Sequence, residues 1–590
     1  MEPLKNKTIV ITLSGHKVRP YARVELFIQH LTEELKKPAN AMLLLIVLGI
    51  IVYGNCLPNA MFWDDDDFIL QNTYIQNWKY WPHFFTDNII AGRHLISNYW
   101  RPLLQIVFAT EWHLWADWVY GWHAISVFFQ IADSVLLFRL FLLLSGNVRL
   151  ALLTAAIFLI HPASSESVVY ANSLGDGLAN FFVFGGLYYF IRFRSSGRAA
   201  PASPHYWLAL LAYPLALMSK ETGILFMAYI VLCDFFYHSG KCSFIGKLRA
   251  SAFALWPFVL TAFLYMLLRA TVLNFSNSFN FYNETTPFTS HLGLRLLTFF
   301  QVMSTYAGLL FIPYDLRVER LIQAPTAWVI PEVLIGAGFV FLLLIAAWHA
   351  RRKAPIITFG ICWFFAGITP TSNLFVIINA VLYEHFLYTA LIGIWIAVFW
   401  LALKWADTQH KKTVLSFIIA IIFLTYAGRV IWRNTDWRTA IGFYEKLIVT
   451  APKSYRVINN LGMAYADAGI MDKATASYEH AIKLDPTNAV AYHNMGNIFR
   501  DTERTERAIE YYTKAITLQN NFIFSYLPLA NAYIKLNNLT MARKVLEIYV
   551  SLTDEKEYII QALINLANAQ KDTNGVQRYT QALKTLQTKL

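Results

Sequence analysis

Residues 41–56 read AMLLLIVLGIIVYGNC, and a short step later comes Phe62-Trp63-Asp64-Asp65-Asp66-Asp67. The first stretch carries no charge and is roughly long enough to enter a ~30 Å hydrocarbon layer as a helix. The second sets four carboxylates where that helix leaves the lipid. Crowded carboxylates at a bilayer edge repel one another and lose solvation, so they persist where something cationic, catalytic or metallic needs them.

Composition extends the membrane reading to most of the chain. At 56% hydrophobic and 15% charged residues, with a mean hydropathy of +0.41, there is more apolar surface than one soluble core can bury. Long apolar segments are Ala41 to Cys56, Val119 to Leu144, Ser251 to Val272, Trp328 to Trp348, His385 to Leu403 and Thr413 to Ile431. Shorter runs are Ala151 to His161, Leu178 to Phe193, Trp207 to Met218, Ile224 to Phe236 and Pro355 to Gly367. Together they predict an all-α polytopic membrane domain over residues 39–433 with about eleven crossings.

Lys and Arg set the orientation, because short basic loops stay cytoplasmic. The clusters are the N-terminal segment 1–38, Arg192/Arg194/Arg198, Lys241/Lys247/Arg249, Arg351/Arg352/Lys353 and Lys404/Lys411/Lys412. All five share one side only if the apolar stretches after Arg101 and after His291 dip into the membrane or lie on it without crossing. A first outer loop (about 58–118), a second outer segment (about 273–327) and everything after Trp432 then face periplasm, cell exterior or organelle lumen, from a plasma or endoplasmic-reticulum membrane. The formal charge of +12 is spread over these loops, which speaks for topology and against a nucleic-acid partner. The polar first 38 residues show no cleavable signal, so the first helix directs insertion. The four cysteines have no paired spacing and point to neither a disulfide framework nor a zinc site.

After Trp432 the composition turns polar and repeats every 34 residues. Gly462 returns as Gly496, Ala481 as Ala515, Tyr444 as Tyr478 and Tyr512, and Pro452 as Pro486. Small residues admit close helix approach, aromatics fill the gaps and proline ends each second helix, which is the tetratricopeptide pattern. It predicts a soluble α-solenoid over residues 434–590: a leading half-repeat, two complete repeats, then a degenerate repeat and capping helices from Ser525 on. Such stacks bind extended polypeptide, and Asn460 and Asn494, in register, offer a donor and an acceptor to its backbone.

The outward ends of the apolar segments carry the candidate chemistry: Asp64 and Asp65, Arg101, His161 and Glu166, Asp176, Lys220 and Glu221, and Glu384 with His385. Carboxylates beside a few cations suit transfer from a phosphorylated lipid, the cations neutralising phosphate and a carboxylate taking the acceptor proton. A sugar on polyprenyl phosphate already has a good leaving group, so one base, Asp64 or Asp65, suffices and direct displacement inverts the anomeric centre. Chemistry alone does not separate the two. No metal or other cofactor is called for: the acidic run lacks the glycine and terminal glutamate of an EF-hand, and His161 lacks ligand partners at helical spacing.

These stretches, collinear and followed by the repeat tail, resemble the transmembrane and tetratricopeptide-repeat O-mannosyltransferase-like (TMTC-like) family. The resemblance rests on Phe62-Trp63-Asp64-Asp65 with Ile69 and Asn72, Tyr99 to Leu103, His161-Pro162 with Glu166 and Asp176, Ser219-Lys220-Glu221, and Glu384 with Leu387-Tyr388. It implies a C-fold glycosyltransferase that takes mannose or another hexose from a polyprenyl-phosphate lipid and passes it to protein hydroxyls, with Asp64 and Asp65 as the functional acids and the other residues about the donor phosphate and sugar. The chain departs from the family pattern at His385, where Arg is usual, and at Leu174, where a basic residue is usual. Two other readings compete: a cell-envelope oligosaccharide ligase or polymerase, for which a late outer loop would carry the function, and a membrane-anchored scaffold without catalysis.

Overall fold

The computed structural model describes residues 34–587 except 36, 198–199, 238–243, 276–287, 289–290, 321, 323, 326, 379 and 553–555. Most of the N-terminal basic segment, and Lys241 and Arg198 of the later clusters, lie outside the described residues. Among those described, the chain is helical throughout with no strand. Proline opens Pro38–Tyr53, Pro102–Trp115, Pro204–Ser219, Pro331–Lys353 and Pro355–Ile368, where its fixed φ suits the first turn and its missing N–H costs nothing. Gly146 and Gly197, at φ 64° and 66°, end Val119–Ser145 and Leu174–Ser196 in the left-handed conformation.

Six described helices are long and apolar enough to cross a membrane: Pro38–Cys56, Val119–Ser145, Ala171–Ser196, Leu292–Phe311, Pro331–Lys353 and Gln409–Trp437. Val148–Ile160 and Pro162–Val169, bent by 55°, make a seventh if they count as one span. Ala254–Ala270, Pro355–Thr371 and Leu391–Trp405 are apolar but shorter. The expectation of about eleven counted such shorter runs, along with Pro204–Ser219 and Leu225–Tyr237 at 16 and 13 residues; among the described residues six or seven qualify by length and composition, and Ala254–Ala270 belongs to the 27-residue helix Phe244–Ala270. Side chains such as Leu43, Ile51, Leu342 and Ile421 stand outward on these helices, as lipid contact requires. Inside the bundle Gly360 and Gly393 face each other so closely that a Cβ on either would lie 2.2 or 2.1 Å from the other's carbonyl oxygen.

Leu292–Phe311 is long enough to cross, and it is tied to a loop near each end. The Arg295 guanidinium donates to the carbonyls of Asn373 and Leu374 at 3.3 and 3.4 Å, and the Leu310 carbonyl at the other end meets the His161 ring at 3.2 Å. The segment that follows reaches Glu384 through Arg320 and Ser454 through Glu319.

The repeat domain begins with the lone helix Ala440–Thr450 and continues in four hairpins: Tyr455–Asp467 with Met471–Leu484, Ala489–Asp501 with Thr505–Leu518, Tyr526–Lys535 with Leu539–Leu552, and Lys556–Ala569 with Thr573–Gln587. The recurrent glycines are seats for the recurrent tyrosines: a Cβ on Gly462 or Gly496 would stand 2.6 Å from the ring of Tyr478 or Tyr512. The domain is joined to the membrane bundle at a seam of amides. Asn59 donates to the Asn434 carbonyl at 3.0 Å, Asn434 to that of Val52 at 2.9 Å, and Asn55 to that of Ile431 at 2.8 Å, tying the first apolar helix to the last.

Candidate functional site

The acidic run is held by the repeat domain. Phe62 packs among Trp437, Phe443 and Tyr444, with centroids 5.7, 5.0 and 5.8 Å away. Trp63, in the left-handed region at φ 67°, lies against Phe443 and Tyr444 and carries the Arg456 guanidinium 5.1 Å from its centroid. A second contact follows down the loop, where Arg93 pairs with Asp67 at 3.2 Å and lies 6.0 Å from the Phe524 ring.

This clamp separates the two leading aspartates. Asp65 is buried, and both its oxygens are used: Oδ1 accepts from the Asn172 N–H at 2.8 Å and Oδ2 from the Phe62 N–H at 3.1 Å. Asp64 is exposed to solvent beside the contact of Trp63 with the first repeat-domain helix. Its backbone N–H donates to the Tyr170 hydroxyl at 3.1 Å, and Tyr170 stacks on Trp437. Desolvation raises the Asp64 pKa above the usual carboxylate range and Asp67 adds to the rise, while Arg456 and Tyr170 oppose it. Asp65 is pushed well up by burial despite its two N–H partners, and Asp66 is pushed up to about 6, by burial and then by Asp67.

The cations foreseen from sequence arrive with carboxylate partners. Arg101, at the head of Pro102–Trp115, puts Nε and Nη2 on Glu221 Oε2 at 3.0 and 2.8 Å and lies 4.5 Å from the Tyr99 ring centroid. Burial favours the acid form of Glu221, but the charge and hydrogen bonds of Arg101 outweigh it and hold the carboxyl below its ordinary range. Lys220 Nζ reaches Asp176 Oδ1 at 2.7 Å. His385 Nδ1 is 2.9 Å from Glu166 Oε1 and stacks on Tyr383 at 5.1 Å. Asp176, Lys220, Thr222, His385, Tyr388 and Thr389 are among the residues lining one cavity.

Three placements were not legible in the sequence. Glu384 is buried and accepts from the Arg317 N–H at 2.5 Å and from Arg320 Nη2 at 3.2 Å; burial raises it to about 7, Arg433 pulling the other way. Both ring nitrogens of His161 are occupied by backbone, Nδ1 by the Ala163 N–H and Nε2 by the Leu310 carbonyl, so it pins Leu292–Phe311 and has no free nitrogen to offer a phosphate. Arg456, from the first complete repeat, lies against the Trp63 ring with Nη2 2.9 Å from Glu319 Oε2. Its place in the next repeat is taken by Val490, and that break of register was the available signal. Of the two repeat asparagines, Asn494 donates to Asn459 at 3.0 Å, whereas Asn460 lies beside Tyr444, 3.5 Å from its hydroxyl.

Known proteins resemble the chain in both parts. Residues 462–499 match a TPR repeat model and residues 489–522 a tetratricopeptide repeat model. A Caenorhabditis elegans protein named Protein O-mannosyl-transferase F38B6.6 is 21% identical over 458 residues, covering 76% of this chain and 63% of its own length. Human Protein O-mannosyl-transferase TMTC4 is 23% identical over 493 residues, covering 75% and 66%. The chain thus spans somewhat less than two thirds of these relatives. Among solved structures, that titled Crystal structure of MamA is 23% identical and covers 25% of this chain and 88% of its own, at a TM-score of 0.23. Similarity to proteins named O-mannosyl-transferases thus extends over three quarters of the chain, and tetratricopeptide repeat models match its tail.

Proposed function

We propose that this protein is a membrane glycosyltransferase that moves a sugar from a polyprenyl-phosphate carrier to hydroxyl groups of a protein acceptor presented by its repeat domain on the non-cytosolic face. The observation that carries the reading is the division of labour at the acidic run: Asp65 is spent on backbone N–H groups, and Asp64 is left exposed to solvent beside the contact between the acidic run and the repeats. The names of the relatives, protein O-mannosyl-transferases, support mannose as the sugar.

In this reading an acceptor hydroxyl oxygen attacks the anomeric carbon, its proton passes to the Asp64 carboxylate, and the bond from that carbon to the phosphate oxygen breaks with its electron pair leaving on the lipid phosphate. The configuration inverts. In this reading Lys220, ion-paired to Asp176, and Arg101, ion-paired to Glu221, supply the positive charge that the departing phosphate needs. No metal is required. Membranes containing the protein, given labelled mannosyl polyprenyl phosphate and an acceptor polypeptide, are expected to label the acceptor, and Asp64→Asn is expected to lower the rate by about 10²–10⁴-fold. An Asp64→Asn variant as active as wild type removes the mechanism.

A further inference from the structure

Four arginines gather where the last long apolar helix meets the segment after Leu292–Phe311. Arg429 and Arg433 stand four residues apart on Gln409–Asn434, so they share one face of the helix, a turn apart. Arg429 Nη2 donates to the Tyr314 carbonyl at 3.1 Å. The next residue, Asp315, takes Arg317 on one oxygen at 2.7 Å and Arg320 on the other at 3.2 Å, and Arg320 also reaches Glu384 at 3.2 Å. Arg433 pairs with Asp436 at 2.8 Å, and Lys446 meets the same carboxylate at 2.6 Å. Five cations thus share three carboxylates, since Glu319, the other acid of that segment, is taken by Arg456.

Hydrogen-bonding capacity is left over along with the charge. Arg433 is only 7% exposed, and its Nε and Nη2 have no partner among the described residues; the same holds for Nε of Arg429 and Nε of Arg320. Buried donors on charged groups are costly to leave unpaired, and these belong to side chains already short of negative charge. The surroundings are those of a bilayer edge. Arg429 lies 4.7 Å from the centroid of the Trp432 ring, and Trp432, Tyr314 and Ile312 are all exposed, an aromatic fringe beside lipid-facing side chains. The forked N–H groups of a guanidinium match phosphate oxygens, and basic pockets between spanning helices hold anionic headgroups.

We propose that Arg429 and Arg433, together with Arg317 and Arg320, form a binding site for the phosphate of an anionic lipid headgroup. The site is separate from the cavity of Asp176 and Lys220, whose lining includes none of these arginines, and it does not depend on which carboxylate is the base. A headgroup seated there offsets the surplus charge, takes the spare N–H groups and ties the last apolar helix to the segment that carries Asp315.

The test titrates phosphatidylglycerol, and phosphatidylcholine in parallel, onto the full-length protein in detergent and counts bound lipids by native mass spectrometry. The first phosphatidylglycerol is expected to bind about tenfold more tightly than the first phosphatidylcholine, and Arg429→Gln to remove about that factor, as loss of one charge-assisted hydrogen bond does. Arg433→Gln carries the same expectation. If it fails to fold, Arg429→Gln decides alone, because Arg429 gives up only a bond to a carbonyl and a contact with an exposed ring. Arg351→Gln, in the basic stretch between two other apolar helices, is expected to leave the preference intact. Glycerophosphoglycerol, the headgroup without its acyl chains, is expected not to displace the lipid. Equal affinity for the two lipids, Arg429→Gln indistinguishable from wild type, or equal losses from Arg351→Gln and Arg429→Gln overturns the site. Displacement by glycerophosphoglycerol at the lipid's own concentration overturns its assignment to a lipid.

Discussion

At the scale of single residues the site turns on what each carboxylate has already been given to do. Asp64→Asn and Asp65→Asn differ by one position in sequence, yet their expected effects are of different kinds. The first removes a proton acceptor and leaves the loop intact. The second replaces one of two acceptor oxygens beneath the Phe62 and Asn172 N–H groups, and an unpaired buried donor costs about 1–3 kcal/mol, so a fall in melting temperature comes with any fall in rate. Comparing both readouts for the two variants separates chemistry from support. Glu384 makes a pH prediction with a definite sign. Its folded pKa of about 7 lies above its ordinary 4.5, so the folded protein holds a proton that the unfolded chain releases. The stabilisation is complete below pH 4.5 and drains away as pH rises toward 7, a loss of roughly 3 kcal/mol. Thermal unfolding in detergent at pH 5 and pH 7.5 is expected to show that loss in wild type and a smaller one in Glu384→Gln.

At the scale of elements, the contact between the Phe62-Trp63 pair and the first repeat-domain helix joins two bodies that sequence presents as separate. Trp63 tolerates a left-handed backbone, which for a bulky residue costs about 1–3 kcal/mol, because the rings of Phe443 and Tyr444 and the Arg456 guanidinium close around it. Trp63→Ala is expected to weaken docking of the repeats by about 2–4 kcal/mol, seen as faster proteolysis between residues 434 and 440 while the repeats stay folded. The repeats themselves were legible, since a period of 34 and the glycine-tyrosine pairing survive in a linear string. So were the apolar runs and the acidic motif. Pairings such as Arg101 with Glu221, 120 residues apart, and Glu319 with Arg456, 137 apart, leave no local trace, because only tertiary folding decides which charges meet. His161 shows the same limit from the other side: a histidine before proline carries no mark that a carbonyl 149 residues on will occupy its ring.

At the scale of the whole molecule, the acidic loop and the segment after Leu292–Phe311 meet the first repeat at Arg456, through Trp63 and Glu319, which requires them to share a compartment. Protease added to sealed vesicles of known orientation is expected to remove the repeat domain from the non-cytosolic face alone and to spare it from the cytosolic face. Digestion from the cytosolic face would undo the orientation argued from the basic loops.

The amide seam has a consequence for how the chain comes to be. Asn59, which borders the acidic motif, waits for Asn434, 375 positions later, and the rings that close on Trp63 come later still. At about 5–20 residues per second of synthesis, the motif spends on the order of 20–75 s in the membrane before its partners leave the ribosome. A nascent polypeptide therefore holds its acidic run without the aromatic rings and amide partners that shelter it in the folded chain until the repeat domain has been made.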